Sequence, residues 1–554
     1  MKKFIKYIFA IVVLINMTSC FKNFDELREN PNYPSTVEPE SLFANVLYTN
    51  TGSFYGAQGQ YFNLTGAGLW AQQFAKIQYI DEDWYQYRAS VMDEKWKRMY
   101  SGISGTSNLA GLYDLELALA EVRKRKAVYE EEGNAQGIAD AKVLEGAMLV
   151  AKVYFFSVTT DVWGDIPYSE AFQTIDLGFD QTNFQPKYDA QKEIYDDFFV
   201  LLEDANTLLS SNGSIDSGAD IIYRGNAARW RMLANSLAAR LYTRISKVDA
   251  AKSRTGLTKL FSDKGTYPMF SSNEDDAELV YLGSQPYMQP IYYNAYIDNR
   301  NDFAISTTII ELLKENDDKR LYIFAQPTRA SMTKPEDAEE DWIPSPEYIG
   351  QENGVPAAEA PGFTEVSMIG NLYREQPAGK SFWMTFSELK FIEAEAALNG
   401  ISGVSGTPES LVAEGIEASF TKQYADIEAY AAPVYPIDGD VVSDPYSDAA
   451  IVINNLDWSK NGGKERVIAE QKYLSNFTNG PEVFAELRRT GWPAISEIRG
   501  GTVYQGKGLP NRFPYPFSEQ TTNSANWSAA SQGINDTMYG KKIWFAENTS
   551  VNYK

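Results

Sequence analysis

Histidine is absent from all 554 residues, and cysteine occurs once, at position 20. Without histidine the commonest general base near neutral pH is missing, and with it Ser-His-Asp and Cys-His catalysis and histidine-ligated zinc. A carboxylate pair of the glycosidase kind stays open as an enzymatic option, although no acidic pair stands out from the 74 Asp and Glu residues. A lone cysteine forms no disulfide within the chain, so stability must come from an ordinary hydrophobic core, for which the length is ample. Positive charge is scarce too. Fifty Lys and Arg leave a formal charge of −24, which repels nucleic acid and anionic lipid. Long apolar runs are the last absence. The N-terminal one, Tyr7 to Ile15, falls short of the roughly 20 residues a membrane-spanning helix needs, and no later stretch is expected to span a membrane.

What precedes the cysteine is organised. Lys2, Lys3 and Lys6 form a positive start, the apolar run follows, and the small residues Thr18 and Ser19 lead into Cys20. This is the three-part layout of an export signal. Met17-Thr18-Ser19-Cys20 fits a bacterial lipoprotein signal, in which the cysteine takes lipid on its sulfur and becomes the first mature residue. The expectation is a signal peptide over 1–19 and a lipid anchor at Cys20, and several acyl chains at about 0.8 kcal/mol per buried methylene hold a protein on a bilayer stably.

The rest of the chain reads as helices in pairs. Leu109, Leu112, Leu119 and Val122 lie at helical spacing, and a second run follows with Ile138, Ala141, Met148, Ala151 and Phe155 on one face. Further pairs are expected over about 188–210 with 226–247, 386–399 with 408–430, and 464–476 with 481–490. Four helical hairpins suggest a scaffold of the tetratricopeptide kind, although no 34-residue consensus repeats cleanly. The scaffold is placed at about 107–248 and 386–490. The stretches at about 50–100, 250–380 and 491–554, rich in Pro, Gly, Asn and Tyr, read as long loops lying over it with minor β structure. One domain over 20–554 and a mainly α fold are expected.

Seven segments in order carry a resemblance: ENPNYPSTV (29–37), DVWGDIPYSEAF (161–172), DIIYRGNAARWRMLANSLAARLYTRIS (220–246), STTIIELLKENDDKRL (306–321), FWMTFSELKFIEAEAALNG (382–400), FAELRRTGWP (484–493) and RFPYPFSEQTTNSAN (512–526). With Cys20 they make the chain similar to the SusD/RagB-like surface lipoproteins. The turn at Asp318-Lys319-Arg320 departs from the Asp-Pro-Arg usual there. The resemblance implies four tetratricopeptide-like hairpins and a non-catalytic protein at the outer face of the outer membrane. It also implies that the protein holds a nutrient glycan, less often a peptide, as a lid over a SusC-like TonB-dependent transporter. The motifs themselves read as scaffold. In Trp163-Gly164-Asp165-Ile166-Pro167-Tyr168 the glycine permits a positive φ and the aromatics pack, Trp383 reads as packing, Arg488-Arg489 suits a helix end, and Asn523 and Asn526 read as turn formers.

Sugar binding needs flat aromatic faces for the apolar side of a pyranose, and planar polar groups offering two parallel hydrogen-bonding positions to adjacent hydroxyls. Two stretches combine both. QYIDEDWYQYR holds Tyr79 and the candidates Asp83, Trp84, Tyr85, Tyr87 and Arg88. YLGSQPYMQPIYYNAYIDNRND at 281–302 holds Tyr287, Tyr292, Tyr293, Tyr296, Asn299 and Arg300. The competing reading is that the aromatics fill the core beneath long loops. Asp438, Asp440, Asp444 and Asp448 crowd one loop and offer oxygen ligands for calcium, but they lack the glycine and terminal glutamate of an EF-hand and read better as a solvated loop; no cofactor is expected. Three other readings stay open: the same architecture carrying peptides, a surface glycosidase with two carboxylates, and a purely structural partner of a transporter.

Overall fold

The computed structural model describes residues 38–53, 56–86, 88–102, 110–178, 184–437, 444–532 and 538–554. Cys20, the 29–37 segment, Tyr87, Leu109, Asp438 and Asp440 lie outside the described residues. In chain order the longer helices are α1 (Pro39–Gly52), α2 (Ala89–Ser101), α3 (Leu112–Glu132), α4 (Ala135–Trp163), α5 (Gln191–Leu208), α6 (Ala227–Arg244), α7 (Ala250–Ser262), α8 (Thr307–Glu315), α9 (Phe386–Leu398), α10 (Pro408–Tyr430), α11 (Pro445–Asn455), α12 (Gly463–Ser475) and α13 (Gly480–Thr490). The fold is mainly α. The short strands β1 (Phe74–Lys76), β2 (Ile166–Pro167), β3 (Tyr188–Asp189), β4 (Ala277–Val280), β5 (Phe303–Ile305) and β6 (Lys380–Met384) form three antiparallel ribbons, β1–β5, β2–β3 and β4–β6.

The four hairpins α3–α4, α5–α6, α9–α10 and α12–α13 fall where the apolar spacing places them. Local chemistry sets their turns. Gly133, at φ +66, ends α3 in the left-handed region, and Asn134 then caps α4 by accepting from the Gly137 N–H at 3.0 Å. Asn226 caps α6 and Thr385 caps α9 in the same way. Within the first half α3 packs on α4, α4 on α5 and α5 on α6; in the second, α9 packs on both α10 and α12.

Helices also occupy two stretches expected to be loops. In α2, Met92, Lys95, Trp96 and Met99 are buried at helical spacing, and α7 buries Leu257, Leu260 and Phe261 likewise. Their amphipathic stripes are present in the sequence but sit among aromatic and polar residues typical of loops. A second difference concerns α4. By length and composition it is apolar enough to cross a membrane, yet 94% of that apolar window is buried inside the protein, which is the position of a core helix.

The two halves meet through aromatic packing and buried charge. Trp383 is fully buried, stacks on Tyr154 at 4.2 Å and 8°, and donates its indole N–H to Thr51 Oγ1 at 2.8 Å. Arg240 of α6 pairs with Glu388 of α9 at 2.6 Å and donates to the Trp383 carbonyl at 2.7 Å. Arg244 reaches Glu482 and Glu486 of α13 at 2.5 Å each, and Arg489 of α13 reaches Glu395 of α9 at 2.6 Å. Such pairs hold register, and removing one partner strands a buried charge at a cost of about 3–5 kcal/mol.

The resemblance motifs serve this frame. The Trp163 indole donates to the Pro514 carbonyl, and Gly164 takes φ +80. Arg488 donates to the carbonyls of Asp161 and Asn511. Asn523 and Asn526 donate to the carbonyls of Pro186 and Gln185, so they fasten a distant loop as well as shaping their own. At the departing turn, Arg320 is buried against the Asp318 carboxylate at 2.5 Å. Of the four acids expected on one solvated loop, Asp444 caps α11 by accepting from Ser447 N–H, and Asp448 instead lies buried within α11 and pairs with Lys319 at 2.8 Å.

Candidate functional site

The β1–β5 ribbon brings the two aromatic stretches together. Its antiparallel register sets Phe74 opposite Ile305 and Lys76 opposite Phe303, and Ile77 N–H donates to the Asp302 carbonyl at 2.9 Å. The stretch that follows β1 and the stretch that precedes β5 therefore leave the ribbon at the same end. Residues more than 200 positions apart in sequence become neighbours.

After β1 the chain makes a tight helical turn, Ile80–Trp84, between two left-handed tyrosines, Tyr79 at φ 52 and Tyr85 at φ 61. Such a conformation is costly for bulky side chains and persists where the surroundings fix it. Tyr85 is fixed by burial, edge-on to Trp70 at 5.8 Å. Tyr79 is 58% exposed and lies beneath the Arg300 guanidinium, 4.9 Å from the ring centre. Arg300 is in turn held by Asp302 at 2.6 Å.

Before β5, the helical segment from Pro290 to Ile297 stacks Tyr292 and Tyr296, four positions apart, at 4.9 Å and 29°. Tyr296, 44% exposed, bonds through its hydroxyl to Glu375 and accepts from Arg374 at 3.0 Å. Arg374 also donates to Asn301 at 2.7 Å. Burial first, then the Glu375 hydrogen bond, hold the Tyr296 hydroxyl above the usual phenol range. The result is a partly exposed strip that runs from Tyr79 through Arg300, Asn299 and Asn301 to Arg374, Tyr296 and Tyr292, with Tyr79, Asn299 and Tyr296 exposed and the others half-buried. Aromatic rings stand at its two ends with planar polar groups between them; Asp302 and Glu375 are engaged by neighbours, and Asp298 is exposed beside Asn299.

Other expected residues stand beneath or beside the strip. Asp83 is 4% exposed and accepts from Lys76 N–H at 2.8 Å and Asn353 Nδ2 at 3.0 Å, so it ties the turn to β1 and to the 353 loop. Burial pushes its carboxyl up to about 7. Tyr85 faces the interior. Trp84 is half-buried, donates to the Val355 carbonyl at 2.8 Å and packs on Gly500 and Gly501, where an added Cβ would meet its ring. Arg88 is exposed, 3.8 Å from Glu82. Tyr293, one residue past Tyr292 and so about 100° round the turn, instead lines a separate cleft with Tyr287 and Tyr48. Sequence reasoning missed Arg374, Glu375 and Asn301; a short NLYRE segment gave no sign of meeting Tyr296.

Among the described residues no group of three or more acids is placed to hold a metal ion. No curated protein matches the chain by sequence. Solved structures share its fold: a chitin-binding protein at TM-score 0.73 and 22% identity, covering 92% of this chain and 100% of that one; a chitin-binding SusD homolog from Flavobacterium johnsoniae at 0.70 and 20%, covering 92% and 99%; and a SusD homolog from Bacteroides vulgatus at 0.67 and 19%, covering 92% and 97%. The family described as starch-binding and associating with the outer membrane matches residues 31–516. With that match spanning most of the sequence and the fold in agreement, the chain belongs to the SusD-like family.

Proposed function

We propose that the protein is a lipid-anchored outer-membrane protein that holds a nutrient glycan at the cell exterior and passes it to a SusC-like TonB-dependent transporter. The observation that carries the reading is the strip, in which Tyr79 and Tyr296 present exposed aromatic rings and Asn299 and Arg300 present planar polar groups between them. An open strip of this kind fits a sugar chain, whereas a peptide would call for an apolar groove with backbone partners. Family membership supports glycan binding and the outer-membrane location, and two proteins of the same fold are described as chitin-binding. The anchor is Cys20.

Three experiments test the reading. Binding to a polysaccharide panel that includes starch and chitin derivatives should be specific and should weaken in Arg300→Ala. Mild solubilisation of outer membranes should co-isolate a TonB-dependent barrel with the anchored protein, and Cys20→Ala should release the protein from the membrane.

A further inference from the structure

We propose that the cleft beside the Pro290–Ile297 segment is a second holding site for the same glycan, so that the protein selects chains long enough to occupy both cleft and strip. This rests on the glycan reading above. The cleft measures about 1370 Å³ and is lined by Tyr48, Tyr287, Tyr293, Leu279 and Leu282, with Arg224 beside them. That exceeds the roughly 300–1,000 Å³ of an ordinary small-molecule pocket and has room for several sugar rings.

The chemistry repeats that of the strip. Tyr48 and Tyr287 meet edge-to-face at 4.7 Å, and the Tyr48 hydroxyl donates to the Pro286 carbonyl at 2.9 Å, which fixes the pair. Tyr287 remains 42% exposed and so offers ring surface. Arg224 is exposed at φ +54, and among the described residues its guanidinium has no hydrogen-bond or ion-pair partner. The other cleft arginines are engaged, Arg98 by Glu94 and Arg125 by Glu40. Arg224 is thus the planar double donor available to adjacent hydroxyls. Tyr292 and Tyr296 serve the strip while Tyr293, about 100° round the same helical segment, serves the cleft, so the two sites lie on adjacent faces of one segment. One chain of several pyranose units can run from one face to the other.

The test is calorimetric titration with malto- and chito-oligosaccharides, from disaccharide to hexasaccharide. In the series that binds, the hexasaccharide should bind at least about tenfold more tightly than the disaccharide, a difference of about 1.4 kcal/mol. The variant Tyr287→Ala/Arg224→Ala should abolish that gain and leave disaccharide affinity unchanged, whereas Tyr296→Ala should weaken both lengths. Equal affinity for both lengths in the wild type, or a gain that survives in the double variant, would overturn the second site and leave the strip intact. Failure of every oligosaccharide to bind would overturn the glycan reading and this proposal with it.

Discussion

Asp83 sits under the strip, and replacing it by asparagine should change stability in a way that reverses sign with pH. Its carboxyl is held at about 7 in the folded protein by burial, against an ordinary value of 3.8. The value is raised, so the stability is present at low pH and lost as pH rises. Below about pH 4 folded and unfolded chains both carry the proton. Between about 4 and 7 the unfolded chain releases it while the folded chain keeps it, so folding grows less favourable. About three pH units at about 1.36 kcal/mol each amount to about 4 kcal/mol lost by pH 8. Asparagine does not titrate and escapes that loss. It meets a fixed penalty instead, because the carboxylate accepts from both Lys76 N–H and Asn353 Nδ2, and an amide turns its own N–H toward one of these donors. An unmatched buried donor costs about 1–3 kcal/mol. Asp83→Asn should therefore be less stable than the wild type at pH 4 and more stable at pH 8, with a total swing of about 4 kcal/mol. Urea unfolding at pH 4, 6 and 8, followed by tryptophan fluorescence, measures it. A stability difference that stays constant across this range would refute the reasoning.

Three other perturbations follow from the same structure. Lys95 is fully buried between Phe62 and Phe513, its amine lacks a hydrogen bond among the described residues, and burial pushes it down to about 7. Stability is lost as pH falls from about 10.5 toward 7, so Lys95→Met should stabilise by up to about 5 kcal/mol at pH 6 and by about 2 kcal/mol at pH 9, read by urea midpoints. Arg240→Met leaves Glu388 buried with Glu482 nearby and should destabilise by about 3–5 kcal/mol, whereas Arg240→Met with Glu388→Met should recover most of the loss in the same assay. Trp383→Ala empties the space against Tyr154 and Trp230 and should cost about 3–5 kcal/mol in thermal or urea unfolding.

The frame was legible in the sequence because its helices carry long apolar repeats and ordinary caps. Leu112, Leu119 and Val122, or Trp230, Leu233 and Leu237, announce their faces without help from the rest of the chain, and the structure buries all of them. Helices α2 and α7 carry the same signal over fewer turns, diluted by neighbouring aromatics, and were hidden for that reason. The strip was legible as two stretches and not as one surface. Whether Tyr79 meets Arg300 depends on the pairing of β1 with β5, each three residues long, and so short a strand carries no pattern that names its partner. Nor does composition tell a tyrosine that faces solvent from one that faces the core. Tyr79 and Tyr85 bracket one turn and have the same left-handed backbone, yet one is exposed beneath Arg300 and the other lies against Trp70. Arg374 joins Tyr296 only through tertiary packing.

Glycan binding at the strip is what the proposed function stands or falls on. Affinity electrophoresis through gels containing soluble starch or glycol chitin tests it most directly, with the chain from residue 21 onward run beside Tyr296→Ala and Arg300→Ala. One polysaccharide is expected to retard the wild type, and both substitutions are expected to restore mobility in variants whose circular dichroism shows them still folded. Folded wild-type protein that migrates identically with and without every glycan tested, or retardation that both variants share in full, would contradict it.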